Sequence, residues 1–566
     1  MRAILKVLTL HPARSRTVIR LAYPVALGML SITLLSVVDT AMLGRLGSTP
    51  LAAAGISGVG YFAVIFSLAG IGIGVQTLTS RRYGEGEFGA CGSVLTAGLI
   101  LAAVAGAVFV AAGPWIARMI APLLSSDPQV ARLGGAYLQY RFFGAAFLLV
   151  NMVYRGFFNG VGDTKQQMTS AILVTTANII LDYLLIFGHA GFPRMEIVGA
   201  AIASTLATGI GTAYFVIVSL AGRYRRRFSP YRHVTLAVPW FSPILGLSLP
   251  VIGQRLISNG SFFAFFSIVS RIGTLELAAS NVLRSVLGLS IMPAVGIGVA
   301  AATLVGQNLG AERPEEAEVS AWEATKLAAY LMATVGLLFV AFPRAIFSIY
   351  TTDPAVIALG RLPLILLGAT QALGGAGIVL GQGLQGAGNT CYVMLVELVV
   401  CLLLYLPTAY LFGLHLRLGI VGAWSGELTY WTALALLMSR KFREGEEELV
   451  ERELERSDTF QHLFDEDGPR RGAEDRTDDK EVTEQRGSGF MPAGADDEED
   501  SKVGNNDPPD LPPTQTLLAA DQREQKDDRG DRSDDHRDVT WLGMGDAEGL
   551  KQKVADRTEE SEPSHG

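Results

Sequence analysis

The 566-residue sequence predicts an all-α polytopic membrane protein, with twelve transmembrane helices set as two parallel six-helix repeats and a disordered C-terminal tail. Three observations carry that fold class: a lopsided charge distribution, a series of long apolar runs, and a self-match at an offset of 226 residues. Residues 1–443 hold 30 Lys+Arg and 16 Asp+Glu, net +14, whereas residues 444–566 hold 16 and 38, net -22. Ordinary soluble domains carry roughly 25% charged residues. So few acids, among apolar runs such as 143–153 and 393–405, exclude a soluble enzyme for the body.

Taken in order, a basic arm (1–17) comes first, and no small-residue cleavage site follows Arg20, so the start reads as a first span rather than a removed signal peptide. About 20 mostly apolar residues cross the hydrocarbon core as a helix. That places spans near 18–43, 51–79, 92–115, 130–158, 166–188 and 196–220, the N-terminal lobe (18–222). A basic loop with two prolines (223–240) reads as the cytoplasmic hinge between lobes. Spans near 241–268, 277–305, 321–343, 356–383, 391–413 and 419–440 make the C-terminal lobe (241–440). The tail (441–566) has the acidic run 496–500, the proline-rich stretch 507–513 and a disordered composition, with 444–455 able to prolong the last helix.

Basic residues concentrate in the cytoplasmic loops of membrane proteins. One set of alternate loops holds the N-terminal arm, Arg81, Arg82, Lys165, five arginines between Arg223 and Arg232, Arg313 and the group from Arg440 to Arg443; the other set offers single arginines such as Arg45, Arg118 and Arg344. Both termini are therefore expected in the cytoplasm, and the chain in the plasma membrane (the bacterial inner membrane), surrounded by lipid. Cys91, Cys391 and Cys401 sit in or beside apolar spans without CxxC spacing, so neither a disulfide nor structural zinc is expected.

The self-match is dense. Pro24 meets Pro250; Arg45 and Gly47 meet Arg271 and Gly273; Asp127-Pro128 meets Asp353-Pro354; Gly160, Gly162 and Thr164 meet Gly386, Gly388 and Thr390. Near the end of each copy the offset becomes 223, where 197–200 meets 420–423. Six spans per copy make both copies enter the membrane in the same sense, an arrangement of secondary transporters that enclose and rock about a central site. Duplicated bundles also form channels and scaffolds. Pro24 and Pro250 each remove a helix hydrogen bond at matching places. The glycines Gly70, Gly72, Gly74 and Gly296, Gly298 fit close helix packing rather than a phosphate loop.

A charge at the bilayer centre costs at least about 2.5–3.5 kcal/mol, so intramembrane acids are functional candidates. Those inside the spans are Asp39, Asp182, Glu397 and Glu427. Asn178 lies one helical turn before Asp182 on the same face, and Ser204 brings a hydroxyl from the next span. Two carboxylates, an amide oxygen and a hydroxyl make an oxygen-lined site for a hard cation such as Na+, or for shared protons. The second copy has Phe265 opposite Asp39 and no acid in 401–408 opposite Asp182, so the pair belongs to one lobe. The plainer alternative is that each aspartate merely crosslinks helices. The second lobe has its own polar set of Arg255, Glu397 and Glu427, where an arginine–glutamate pair would be structural; both readings stand level there.

At this point the residues resemble the multidrug and toxic compound extrusion (MATE) transporters, most closely the DinF-like branch. The resemblance covers about residues 15–440 and is carried by Val38-Asp39-Thr40-Ala41-Met42-Leu43-Gly44, by 155–164 from Arg155 to Thr164, by Asn178-Ile179-Ile180-Leu181-Asp182, by 199–204 and by 305–311. It implies an efflux carrier that exports organic, often cationic or amphipathic compounds by antiport against H+ or Na+. It implies too that Asp39, Asn178 and Asp182 hold the cation, with Ser204 where the family often has threonine. The tenth span lacks the acid of the NorM-type branch. Tyr140, Asn151 and Arg284 are expected to contact substrate in the cavity.

No cofactor is implied beyond the coupling ion. Neither HExxH nor a nucleophile elbow lies in the spans, so an enzyme is not expected. The rival of like architecture is a lipid or lipid-linked oligosaccharide flippase. Nothing suggests nucleic-acid recognition, a monomer is expected, and the tail's partner is open.

Overall fold

The computed structural model describes residues 9–125, 127–231 and 234–465. The tail expected to be disordered lies, from residue 466 onward, outside the described residues.

Among the described residues helices account for every regular element. In the first half these are α1 (Pro12–Gly44), α2 (Ser48–Leu68) and α3 (Gly70–Gly84) parted at Ala69, α4 (Phe88–Leu124), α5 (Pro128–Phe143) and α6 (Ala145–Gly160) bent by 46° about Gly144, α7 (Thr164–Phe187) and α8 (Glu196–Leu220). A linker with α9 (Gly222–Phe228) and a 3-10 turn (Val234–Trp240) follows. The second half has α10 (Phe241–Ser270), α11 (Thr274–Ser290) with α12 (Met292–Gly310), α13 (Pro314–Ala341), the short α14 (Pro343–Tyr350), α15 (Pro354–Gly386), α16 (Thr390–His415) with two π-helical stretches, and α17 (Gly419–Asp465). With each interrupted pair taken as one span, the chain has two sets of six. Among the described residues nine helices are long and apolar enough to cross a membrane, and the bent α5–α6 pair makes ten. The α2–α3 pair and the start of α17 fill the remaining positions. Large apolar side chains such as Val104, Ile217, Leu337 and Leu403 are exposed, as they must be where lipid is the solvent.

The duplication is visible in local chemistry. Asp127 and Asp353 each cap the helix that follows, accepting from the Gln129 N–H at 2.8 Å and the Ala355 N–H at 2.9 Å, with proline at the next position in both. Removing either cap, as in Asp127→Ala or Asp353→Ala, should cost about 1 kcal/mol, seen as a lower thermal midpoint of the purified protein with transport retained. Gly162 and Gly388 occupy matching turns at φ 81 and 94, where a side chain is disfavoured.

The two halves meet around an approximate two-fold axis, and the contacts are reciprocal. The Thr77 hydroxyl donates to the Gln385 carbonyl at 2.9 Å, and the Thr303 hydroxyl donates to the Asn159 carbonyl at 3.0 Å. These are the same contact read from either copy, since 77 pairs with 303 and 159 with 385 at the offset of 226. A Cβ added to Gly84 would stand 2.0 Å from the Gln307 carbonyl oxygen, and one added to Gly310 would stand 2.0 Å from that of Arg81, again a matched pair. A Cβ added to Gly74 would stand 2.3 Å from the Ser248 hydroxyl and 2.9 Å from the Ile244 carbonyl oxygen of α10. The glycines thus serve close helix packing.

All of these contacts lie at the end of the bundle that carries the first turn of α1. There Glu323 of α13, buried, accepts from the His11 N–H at 2.5 Å and from the Ser15 hydroxyl at 2.7 Å, and pairs with Lys326 at 3.4 Å. Arg14 pairs with Glu316 at 3.3 Å. His11 caps α1 without a side-chain bond of its own, so the second half supplies the negative group this helix N-terminus favours. This end is closed.

The linker expected to act as a hinge is packed against the first half over its described part. Tyr231 shares 2.7 Å hydrogen bonds with the hydroxyls of Tyr154 and Ser219, Arg227 lies 4.1 Å over the Phe88 ring, and Phe228 is buried. Tyr224 donates to Asp163, and burial together with that carboxylate holds its hydroxyl well above the usual tyrosine range. Its described part is a strap fixed to the first half, because the aromatic residues among the arginines find a hydrophobic core there. The last helix also continues past Arg443 to Asp465, further than the short extension expected, through a stretch rich in strong helix formers.

Candidate functional site

α1 and α7 run side by side and bring Asp39 together with Asp182. The two carboxyls lie within hydrogen-bonding reach of each other. Asp182 is fully buried, and its Oδ2 accepts from the Asn178 amide at 3.0 Å; the Ser204 hydroxyl of α8 donates to the Asn178 Oδ1 at 3.4 Å. The four residues singled out from sequence therefore form one chain of contacts across three helices. Asp39 Oδ1 and Asp182 Oδ1 are buried with no hydrogen-bond partner. Two carboxylate oxygens short of donors make a place for an added cation or proton.

Asp39 opens onto a cavity of about 610 Å³, within the size range of small-molecule sites. On α1 its lining runs from Ile32 to Leu43, toward the end opposite the closed one. The second half contributes Asn259, Phe262 and Phe263 of α10 and Arg284 of α11, so the cavity lies between the halves. Asn151 and Arg284, expected to face the cavity, line it. Tyr140 does not: it packs on Phe143, and Tyr137, one turn earlier, lines the cavity instead.

Arg141 and Arg155 were missed by the reading of the sequence, and both line the cavity. Arg141 stands over the Tyr61 ring at 4.6 Å. It ends α5 at the 46° bend, where a helix C-terminus favours a cation. The signal was available: arginines inside the fourth span, by the same reasoning that picked out the acids.

At the positions in the second half that match the acid pair stands a plug of aromatic side chains. Phe265, the partner of Asp39 in the duplication, stacks on Tyr405 at 5.4 Å and meets Trp424 edge-on at 5.2 Å; all three are buried. The Trp424 N–H donates to the Ser280 hydroxyl at 2.9 Å. Glu397 and Glu427 are buried beside this plug and away from the cavity. Glu397 accepts from the hydroxyls of Ser258 and, at 3.0 Å, Tyr430. Arg284 sits 4.2 Å over the Phe262 ring, without a glutamate partner among the described residues. Arg255 is half-buried on α10 and is not among the residues lining the cavity.

The MatE family model matches residues 24–184 and 250–411, two copies that begin at Pro24 and Pro250, the 226-residue offset found in the sequence. The chain is 27% identical over 431 residues to a probable multidrug resistance protein NorM from Thermotoga maritima, an alignment covering 75% of this chain and 92% of that protein. It is 26% identical over 441 residues to the multidrug resistance protein MdtK of Yersinia enterocolitica, covering 76% and 95%. The fold is similar, with a TM-score of 0.69 at 22% identity, to a MATE family multidrug resistance transporter of the MOP superfamily solved in an outward-facing conformation, covering 78% of this chain and 97% of that one.

Proposed function

The chain belongs to the MatE family of multidrug efflux transporters, and we propose that it exports organic amphipathic compounds in exchange for H+ or Na+ through alternating access of its two halves. Family members are transporters rather than enzymes. The observation that carries the reading is the Asp39–Asp182 pair, each acid with one buried oxygen lacking a donor, set beside a cavity of small-molecule size. A cation taken up there offsets one of the pair's two negative charges and adds a bond between α1 and α7. Because Asp39 also lines the cavity, the same event alters the wall against which substrate rests. Coupling then requires that cation and substrate favour different conformers.

We assign the basic, closed end to the cytoplasm, which makes the protein an inner-membrane carrier with both termini inside and its cavity turned outward in this state. The 18–222 and 241–440 lobes would rock against each other, with the strap moving as part of the first. A monomer suffices, since one chain holds both halves. The DinF-like placement rests on motif resemblance and on α15, which has no Asp or Glu. The aromatic plug supports a single coupling site in the first half, leaving Glu397 and Glu427 as buried structural acids.

The test uses the full chain in liposomes, following a fluorescent amphipath under an imposed pH gradient or an imposed Na+ gradient of equal size. One gradient is expected to drive substrate movement and the other not. Equal movement with neither gradient, accompanied by lipid scrambling, would reject antiport in favour of the flippase.

A further inference from the structure

We propose that the cavity selects organic anions: an aromatic amphipath bearing a carboxylate, sulfonate or phosphate, held by Arg141, Arg155 and Arg284. The proposal rests on the export reading for its biological sense and is tested apart from it. Three arginines line one cavity, against a single lining carboxylate, Asp39. Among the described residues none of the three is in an ion pair. The Nε atoms of Arg141 and Arg155 are buried without a hydrogen-bond partner. Arg141 lies in the field of Asp39 and Asp182, which leaves Arg155 and Arg284 without a facing acid, and guanidinium groups left unmatched inside a membrane protein are costly. Arg155 and Arg284 are accounted for if the counter-charge arrives with the ligand.

Geometry favours the same ligand class. Arg141 lies on the Tyr61 ring at 4.6 Å and Arg284 on the Phe262 ring at 4.2 Å. A guanidinium stacked by its face keeps its N–H edge for a bidentate acceptor. The rings add a flat apolar flank for an aromatic skeleton. Arg141 and Arg155 come from α5 and α6, Arg284 from α11, so one anionic group placed among them would bridge the two halves.

Charge counting gives the sign. With Asp39 and Asp182 both ionised, these five side chains sum to +1; with one Na+ or one proton bound the sum is +2, and with two protons it is +3. The cavity is positive in every state, so an organic cation is repelled in each and an anion attracted in each. Exchange with the coupling cation therefore runs through the position of α1, not through displacement of one positive charge by another.

The experiment is equilibrium binding to the purified full chain in nanodiscs of uncharged lipid, with no ion gradient. Two fluorophores of one aromatic skeleton are compared, one sulfonated and one carrying a quaternary ammonium group. The sulfonated probe is expected to bind at least about tenfold tighter, and Arg141→Gln and Arg284→Gln each to weaken it about ten- to hundredfold. Arg284→Lys should restore part of the loss, and Asp39→Asn should strengthen sulfonate binding. Matched thermal unfolding shows that the variants are folded. Equal or better binding of the ammonium probe, binding of neither probe, or indifference of the sulfonate to both glutamine variants would overturn the proposal. Loss of gradient-driven transport with sulfonate binding intact would instead sink the antiport reading and leave the anion site standing.

Discussion

With Asp182 replaced by asparagine, ion-driven substrate movement in proteoliposomes falls to background, and Asp39→Asn does the same. Asparagine keeps the shape and one oxygen but cannot carry the charge that draws in a proton or Na+. Asp182 is fully buried, its Oδ2 is held by Asn178 at 3.0 Å and its Oδ1 has no partner. Loss of either charge removes half of the attraction for the cation and leaves the other carboxylate without its neighbour. Stability should hardly move. A neutral amide in a low-dielectric site avoids the cost of burying charge, so the thermal midpoint should match or exceed that of the wild type, within about 1 kcal/mol. Exchange of labelled for unlabelled substrate with no gradient should survive, because the substrate's own contacts remain. Gradient-driven transport retained in both variants would reduce the pair to a helix crosslink, and a large drop in stability would point the same way.

Much of this site was legible because its chemistry is local and costly. Asn178 and Asp182 share a helix face by spacing alone, and acids inside apolar spans are too rare to overlook. The absence of acids at the matching positions of the second copy also foretold asymmetry, though not what fills the space; that Phe265, Tyr405 and Trp424 form one plug depends on packing between three helices. Arg141 and Arg155 were not among the expected site residues, although the same cost argument applies to arginines inside an apolar span. Tyr140 does not line the cavity and Tyr137 does, because the face of α5 that turns inward is set by packing beside a 46° bend that composition does not encode. The interface between halves was hidden for another reason. Gly84 and Gly310 look like ordinary glycines at loop edges, and only the assembled two-fold shows each pressed against the other copy's backbone.

That reciprocal contact yields the second large effect: Gly310→Ala, or Gly84→Ala, should open the closed end. The added Cβ would lie 2.0 Å from a carbonyl oxygen of the opposite half, and backbone cannot swing aside as a flexible side chain can. Overpacking of this kind costs about 1–3 kcal/mol, and separation of the halves also strains the Thr77–Gln385 and Thr303–Asn159 bonds. The cost falls only on the closed conformer, so the balance shifts by roughly ten- to hundredfold toward the open one. Glu323→Gln should act in the same direction and less strongly, since it keeps acceptors for His11 and Ser15 but gives up the charge paired with Lys326. Spin labels on Glu87→Cys and Glu315→Cys, with the three native cysteines replaced by serine, report across that end. The parent protein should show one short distance, and Gly310→Ala a dominant longer one. An unchanged distribution in Gly310→Ala would mean that the halves do not part here, and the axis of alternating access would have to be sought elsewhere in the bundle.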